Sequence, residues 1–229
     1  MSKLTVEDTS LVSVADAIRT KGGTTDQLVF PDGFVSAIEG IQSGGSENYL
    51  PGFVDGSLTE ITADMLAGCT KITEYAFYRH TKLKSIVIPE GVTSIETYAF
   101  YYCTGLTSIV IPEGVTSMGT SVFWYCTGLT SIVIPESLTS IPMSTFRNCS
   151  KLTSVVIPKG VTSIGNYTFD GCSSLATVEM KRVTPPTIST KTFNTSALKQ
   201  IIVPAGSLSA YQSATNWSAY ADLMVEASS

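Results

Sequence analysis

Charge is what this chain has least of. Asp, Glu, Lys and Arg make up 14% of its 229 residues, against about a quarter in an ordinary globular domain. No Lys or Arg occurs from Ser85 to Phe146, and the net charge is −5. Sparse, scattered cations leave no electrostatic footprint for nucleic acid or anionic lipid. Histidine is nearly absent: His80 stands alone, which argues against Ser-His-Asp, Cys-His and multi-His zinc chemistry. No apolar run approaches the ~20 residues of a membrane-spanning helix. The opening MSKLTVEDTS carries acids and no apolar core segment, so it does not read as a secretory signal, and synthesis in the cytoplasm is expected. Neither G-x-x-x-x-G-K-[ST] nor G-x-G-x-x-G is found. What the chain does have is 43% hydrophobic residues, 29 Ser and 30 Thr. A large core under a surface of hydroxyls follows, and disorder does not.

A period of 23 residues organises the sequence. Phe77, Phe100, Phe123, Phe146 and Phe169 keep this step, as do Leu83, Leu106, Leu129, Leu152, Leu175 and Leu198. Pro89, Pro112, Pro135 and Pro158 follow, with Lys181 in the next slot and Pro204 back in phase. Cys103, Cys126, Cys149 and Cys172 form a fourth series, with His80 one unit earlier. A complete unit reads CTGLTSIVIPEGVTSMGTSVFWY, from Cys103 to Tyr125. LTSIVIP is a β-branched strand ended by Pro112, which cannot donate to a ladder. Glu113-Gly114 turns the chain, Val115 and Met118 add a second apolar contact, and Phe123 points inward. One unit cannot bury its apolar stripe alone, but stacked units can, with parallel strands ~4.8 Å apart. The fold expected is a β-rich α/β solenoid, a right-handed leucine-rich-repeat stack.

The ends depart from the period, as capping units do. Upstream, Leu66 and Cys69 read as a compressed unit, in the Phe and Cys slots. Downstream, Phe193 comes one residue late and ALKQIIVP is the last strand. Ser207 is expected to cap a short helix whose Leu208, Tyr211 and Trp217 cover the final coil. Units of the form F-x-x-C-x-x-L-x-S-I-x-I-P-x-x-V-x-S-I resemble the BspA-type leucine-rich repeat family over about residues 50 to 217. The resemblance implies a curved solenoid that adheres or binds protein, with no catalytic residues and no cofactor.

Residues 1–42 lie outside the period. Leu11, Val14, Ala15 and Ile18 share one helical face, with Thr9 or Ser10 as N-cap. Phe34, Ile38 and Ile41 share another, which Asp32 caps. Residues 43–49 read as a flexible linker, and residues 50–229 as the solenoid, with its cap from about 197. The run ADAIRTKGGTTDQLVFPDGFVSAIEGI resembles the N-terminal module of tail-associated proteins of phages and prophages of Gram-positive bacteria. That resemblance implies attachment to other virion proteins through Leu11, Val14, Ile18, Phe34 and Ile38, and a virion-associated location.

Three features invite chemistry. Four cysteines and His80 in a line suggest metal, but equivalent residues on successive coils point the same way and do not converge on a tetrahedron; they read as small buried hydrophobes. No metal site is expected. Glu90, Glu113 and Glu136 stack at the turns, either as a cation column or as ordinary solvated charges. The pairs between Phe and Cys vary while the core slots do not: Tyr78-Arg79, Tyr101-Tyr102, Trp124-Tyr125, Arg147-Asn148 and Asp170-Gly171, all expected to lie outside. Tyr78, Tyr101, Tyr102, Trp124, Tyr125 and Arg147 form a candidate binding ridge, since exposed Tyr and Trp anchor sugars or proteins. Alternatively the rings pack on neighbouring coils. A third surface, the concave sheet, is expected to expose Ser85/Val87, Ser108/Val110, Ser131/Val133 and Ser154/Val156. The function expected is non-enzymatic: a phage or prophage tail component contacting a host surface protein or glycan, or a bacterial cell-surface adhesin. An enzyme on a solenoid, such as a polysaccharide lyase, would need a cleft of carboxylates or bases that the central units lack.

Overall fold

The computed structural model describes residues 56–228, and these form a β-solenoid with the expected 23-residue coil. The attachment positions Leu11, Val14, Ile18, Phe34 and Ile38 lie outside the described residues. Each coil carries two short parallel strands and one aromatic corner. The first strand column runs through β1 (Glu60–Ile61), β3 (Ser85–Ile86), β5 (Ser108–Val110), β7 (Ser131–Val133), β9 (Ser154–Ile157), β11 (Thr177–Met180), β12 (Gln200–Val203) and β13 (Met224–Glu226). The second runs through β2 (Lys71–Ile72), β4 (Ser94–Ile95), β6 (Ser117–Met118), β8 (Ser140–Ile141) and β10 (Ser163–Ile164). Pairing is parallel, with Ser108, Ile109 and Val110 opposite Ser131, Ile132 and Val133, and Ser94 and Ile95 opposite Ser117 and Met118. The second column is an addition to the sequence reading, although the recurring Thr-Ser-Ile of residues 93–95, 139–141 and 162–164 carries its signal.

Short strands suffice because every column is apolar inward. Phe100, Cys103, Leu106, Val115, Phe123, Cys126 and Leu129 are all fully buried. The Phe rings stack face to face: Phe77–Phe100 at 5.1 Å, Phe100–Phe123 at 5.3 Å, Phe123–Phe146 and Phe146–Phe169 at 5.6 Å, and Phe169–Phe193 at 5.4 Å between centroids. Backbone bonds tie this third side together, Phe77 N–H to Ala99 C=O and Phe100 N–H to Val122 C=O at 2.8 and 2.9 Å. Threonines reinforce the two strand columns at their entries: the hydroxyls of Thr93, Thr107, Thr130 and Thr162 donate to the carbonyl 23 residues earlier. Coils approach so closely that a Cβ at Gly105 or Gly128 would lie 2.4 Å from the carbonyl oxygen of Thr81 or Thr104.

The two ends correct the sequence reading. Lys71 pairs with Ser94, which sets Cys69 in the slot of Val92, so Leu66 and Cys69 do not take the Phe and Cys slots. No half-unit is missing. Glu60 pairs with Ser85, two residues out of step with the Lys71–Ser94 pair. The first coil therefore has a longer connection, folded as a 3-10 turn at Asp64–Leu66. At the other end β13 closes the sheet on β12. Helix α1 (Leu208–Ser213) follows Ser207, but the Ser207 hydroxyl makes no capping bond. It donates to the Pro204 carbonyl instead, while the Glu226 carboxylate accepts the N–H groups of Gly206 and Leu208. The expected cap aromatics do cover the last coil. Tyr211 and Trp217 are fully buried, the Tyr211 hydroxyl donates to Arg182 C=O at 2.7 Å, and the Trp217 indole N–H donates to Pro186 C=O at 2.6 Å.

Candidate functional site

The cysteine column is structural. Cys103, Cys126, Cys149 and Cys172 donate their S–H groups to the carbonyls of Phe77, Phe100, Phe123 and Phe146 at 3.0–3.2 Å. Burial pushes all four thiols up, Cys172 to about 12, so none is a thiolate nucleophile at neutral pH. All five cysteines are free thiols. Among the described residues no group of three His, Cys, Asp or Glu side chains could hold a metal ion. The glutamate column has a local role: the Glu113 carboxylate accepts the N–H groups of Glu136 and Ser137 in the next coil.

The strand face exposes the expected positions. Val87, Val110, Val133 and Val156 are 57, 62, 57 and 44% exposed. In register they form one flat apolar row beside the serines, without a charge until Glu179 takes the same place.

The corner of each coil builds a different surface. Its backbone enters and leaves through the left-handed region, at Tyr75, Tyr98, Ser121, Ser144 and Tyr167 (φ 57–59°), and again at Arg79, Tyr102, Tyr125, Asn148 and Thr195 (φ 53–63°), with Gly171 at 73°. Asn and Gly tolerate this conformation; for other L-residues it costs about 1–2 kcal/mol. Five tyrosines and an arginine nevertheless hold it.

These rings sit together and are half-buried, not freely exposed. Tyr75 stacks on Tyr98 at 5.2 Å, and Tyr78 on Tyr101 at 5.1 Å. Tyr101 is the hub, with Tyr98, Tyr102, Trp124 and Tyr125 also around it at 5.3–6.2 Å. Tyr102 meets Tyr125 at 5.6 Å, and Trp124 stacks on Tyr125 at 5.8 Å. The rings therefore pack on those of neighbouring coils and form one cluster. Burial, then the neighbouring Tyr78 and Tyr125, push the Tyr101 phenol above its ordinary range, so it stays protonated. Among the described residues the buried Trp124 indole N–H meets no hydrogen-bond acceptor.

Cations lie over the ring faces. The Arg79 guanidinium sits 5.1 Å from the Tyr102 ring centre and 5.8 Å from that of Tyr78. Arg147 sits 5.3 Å from Trp124 and 4.9 Å from Tyr167, and Lys191 5.4 Å from Tyr167. Asp170, expected outside, is buried. Its carboxylate accepts from Arg147 at 2.9 Å, Asn194 at 2.9 Å and Thr195 at 2.8 Å. Burial raises this carboxyl, but the Asn194 and Thr195 bonds and the Arg147 charge outweigh it, and the net shift is downward.

A stack of 23-residue coils, closed by a cap and bearing a surface cluster of aromatic rings, defines a leucine-rich-repeat solenoid. The chain belongs to the family described as BspA type leucine rich repeat region, whose model matches six copies over residues 70–199 and 139–217. No functionally curated protein matches significantly. Among solved structures, a leucine-rich repeat protein from Eubacterium ventriosum is 26% identical, with a TM-score of 0.53, covering 61% of this chain and 43% of its own. The T. pallidum Leucine Rich Repeat protein is 32% identical, with a TM-score of 0.45, covering 53% and 52%. A leucine-rich repeat protein from Bacteroides ovatus is 26% identical, with a TM-score of 0.46, covering 65% and 44%. The chain thus spans about half or less of each of these proteins.

Proposed function

We propose that this chain is a non-enzymatic recognition module that adheres to another macromolecule through the corner ridge formed by Tyr78, Tyr101, Tyr102, Trp124, Tyr125 and Arg147. One observation carries the reading. The solenoid sets the backbone of every corner alike, yet three successive coils place Arg79, Tyr102 and Tyr125 where the next two place Asn148 and Gly171, which hold that backbone without strain, and the last places Thr195. Residues kept against a backbone preference, at a surface, point to a role outside folding. Family membership supports adhesion in general. The setting proposed is a phage or prophage tail component, bound to other virion proteins through residues 1–42 and contacting a host surface protein or glycan. Its support is the N-terminal sequence resemblance. Family membership favours the second setting, a bacterial surface adhesin.

The module is tested by adherence of the labelled full chain to bacterial and epithelial cells. Saturable binding is expected, and none would contradict it. The setting is tested by negative-stain imaging of purified tail particles with an antibody to the solenoid. Decorated tails are expected, and bare tails would leave the adhesin reading.

A further inference from the structure

We infer that the outward face of the first strand column seats a second copy of this chain, and that the two copies pair there with their coils running in opposite directions. This goes beyond the adhesion reading and does not depend on it. Four successive coils present the same outward pair, Ser-x-Val, at Ser85/Val87, Ser108/Val110, Ser131/Val133 and Ser154/Val156. Of the seven large apolar side chains left exposed among the described residues, four are the valines of this row. The ladder holds them in line: Val87 lies opposite Val110, Val110 opposite Val133, and Val156 opposite Glu179. Strand spacing sets neighbouring valines ~4.8 Å apart. A single exposed valine is ordinary, but a contiguous apolar row marks an interaction surface. This row reads the same from either end. A second copy turned end for end therefore meets it valine on valine, as a two-fold interface requires of one self-complementary patch. A foreign partner would have to match that monotony; an identical copy matches it by construction.

Charge permits the pairing and sets its direction. Residues 56–229 carry eleven Lys and Arg against eleven Asp and Glu, so two solenoids do not repel as wholes. The outward pairs of the four coils hold no charge. Glu179 takes the next place in the row, with Lys181 as its ion-pair partner. If two copies lay in register with their coils running the same way, Glu179 would meet Glu179, and like charges directly opposite are destabilising. With one copy reversed, Val87 faces Val156, Val110 faces Val133, and Glu179 falls against Thr62. Thr62 is the exposed residue after Ile61, which pairs with Ile86, so it holds the place beside Val87 in the first coil. The strands of the two faces are then aligned, as sheets packed face to face prefer. Four valines and four serines a side fall short of the ~800 Å² that a standard interface buries per partner. The pair is therefore reversible and forms at micromolar concentration or above.

The test is sedimentation velocity of the full chain at about 5 to 500 µM. The weight-average mass should climb from that of one 24.4 kDa chain toward twice that value. Val110→Lys with Val133→Lys should weaken pairing about tenfold or more, because it sets like charges face to face. Its urea midpoint should be unchanged, since both positions are exposed. Tyr102→Asn with Tyr125→Asn should still pair. Direction is read by mild oxidation of Val87→Cys and Val156→Cys chains, against a background of native cysteines that are all buried. The two variants mixed should form a disulfide-linked pair; either one alone should not, because like positions then lie three coils apart. A chain that stays monomeric throughout overturns the proposal, whether the row stays open or residues 1–55 cover it. Pairing that survives the lysines, or that is lost in the tyrosine variant, overturns the face. Absence of the mixed disulfide overturns it too, even if the lysine variant does not fold. Val87→Cys linking to itself overturns the reversed direction.

Discussion

Two halves of one ridge share a backbone and differ in what they carry. In the corners at 75–79, 98–102 and 121–125 the left-handed positions hold Tyr75, Arg79, Tyr98, Tyr102 and Tyr125, with Ser121 as the exception. In the corners at 144–148 and 167–171 they hold Ser144, Asn148 and Gly171, with Tyr167 as the exception. The polar half is knitted by the Asp170 network to Arg147, Asn194 and Thr195. The aromatic half is held by ring contacts, and among the described residues its Trp124 N–H meets no acceptor. Since the solenoid fixes the path of both, it does not dictate the side chains of either. The polar half satisfies its own groups; the aromatic half keeps groups available for something else.

Substitutions sharpen this contrast. The largest effect belongs to the column beneath both halves. Phe123→Ala opens a cavity between Phe100 and Phe146 and should cost about 3–5 kcal/mol in urea unfolding. Tyr101→Ala with Trp124→Ala comes next. Each ring pair contributes about 0.5–1.5 kcal/mol beyond area burial, so a loss of about 2–3 kcal/mol is expected. In the polar half, Asp170→Asn should cost about 1–2 kcal/mol, because it strips charge-assisted bonds from a buried network. Asp170 also carries a pH signature. Its folded pKa lies below its unfolded value, so its contribution is complete above the ordinary carboxylate range and fades as pH falls through the folded value. An acid titration of stability should show the wild type losing this increment where the Asn variant does not. The smallest effect should come from Tyr102→Asn, where relief of the left-handed backbone offsets lost ring contacts to within about 0.5 kcal/mol.

Much of this architecture is legible in the chain itself. The 23-residue recurrence of Phe, Leu, Pro and Cys marks the columns, and their burial follows because one coil cannot shield its own stripe. Trp217 and Tyr211 declare the cap by being large and apolar where the repeat stops. The misreadings have physical causes. Cys69 looks like a ladder cysteine, but it stands two residues before β2, in the slot of Val92, as the Lys71–Ser94 pairing reveals. Asp170 reads as solvated because the groups that bury it lie 23 to 25 residues away in sequence. Ser207 looks like an N-cap by residue type, while Glu226, 18 residues downstream of Leu208, accepts from that residue's N–H. The ridge residues are visible as variable positions, but their left-handed backbone is not.

The most direct test of the claim that the fold leaves the aromatic corner unspecified is to measure unfolding free energy and adherence on the same preparation of the full chain carrying Tyr102→Asn and Tyr125→Asn. The account predicts an unfolding midpoint and slope indistinguishable from wild type with adherence reduced about tenfold or more. A midpoint lowered by several kcal/mol equivalents, with adherence falling only as the folded fraction falls, would contradict it.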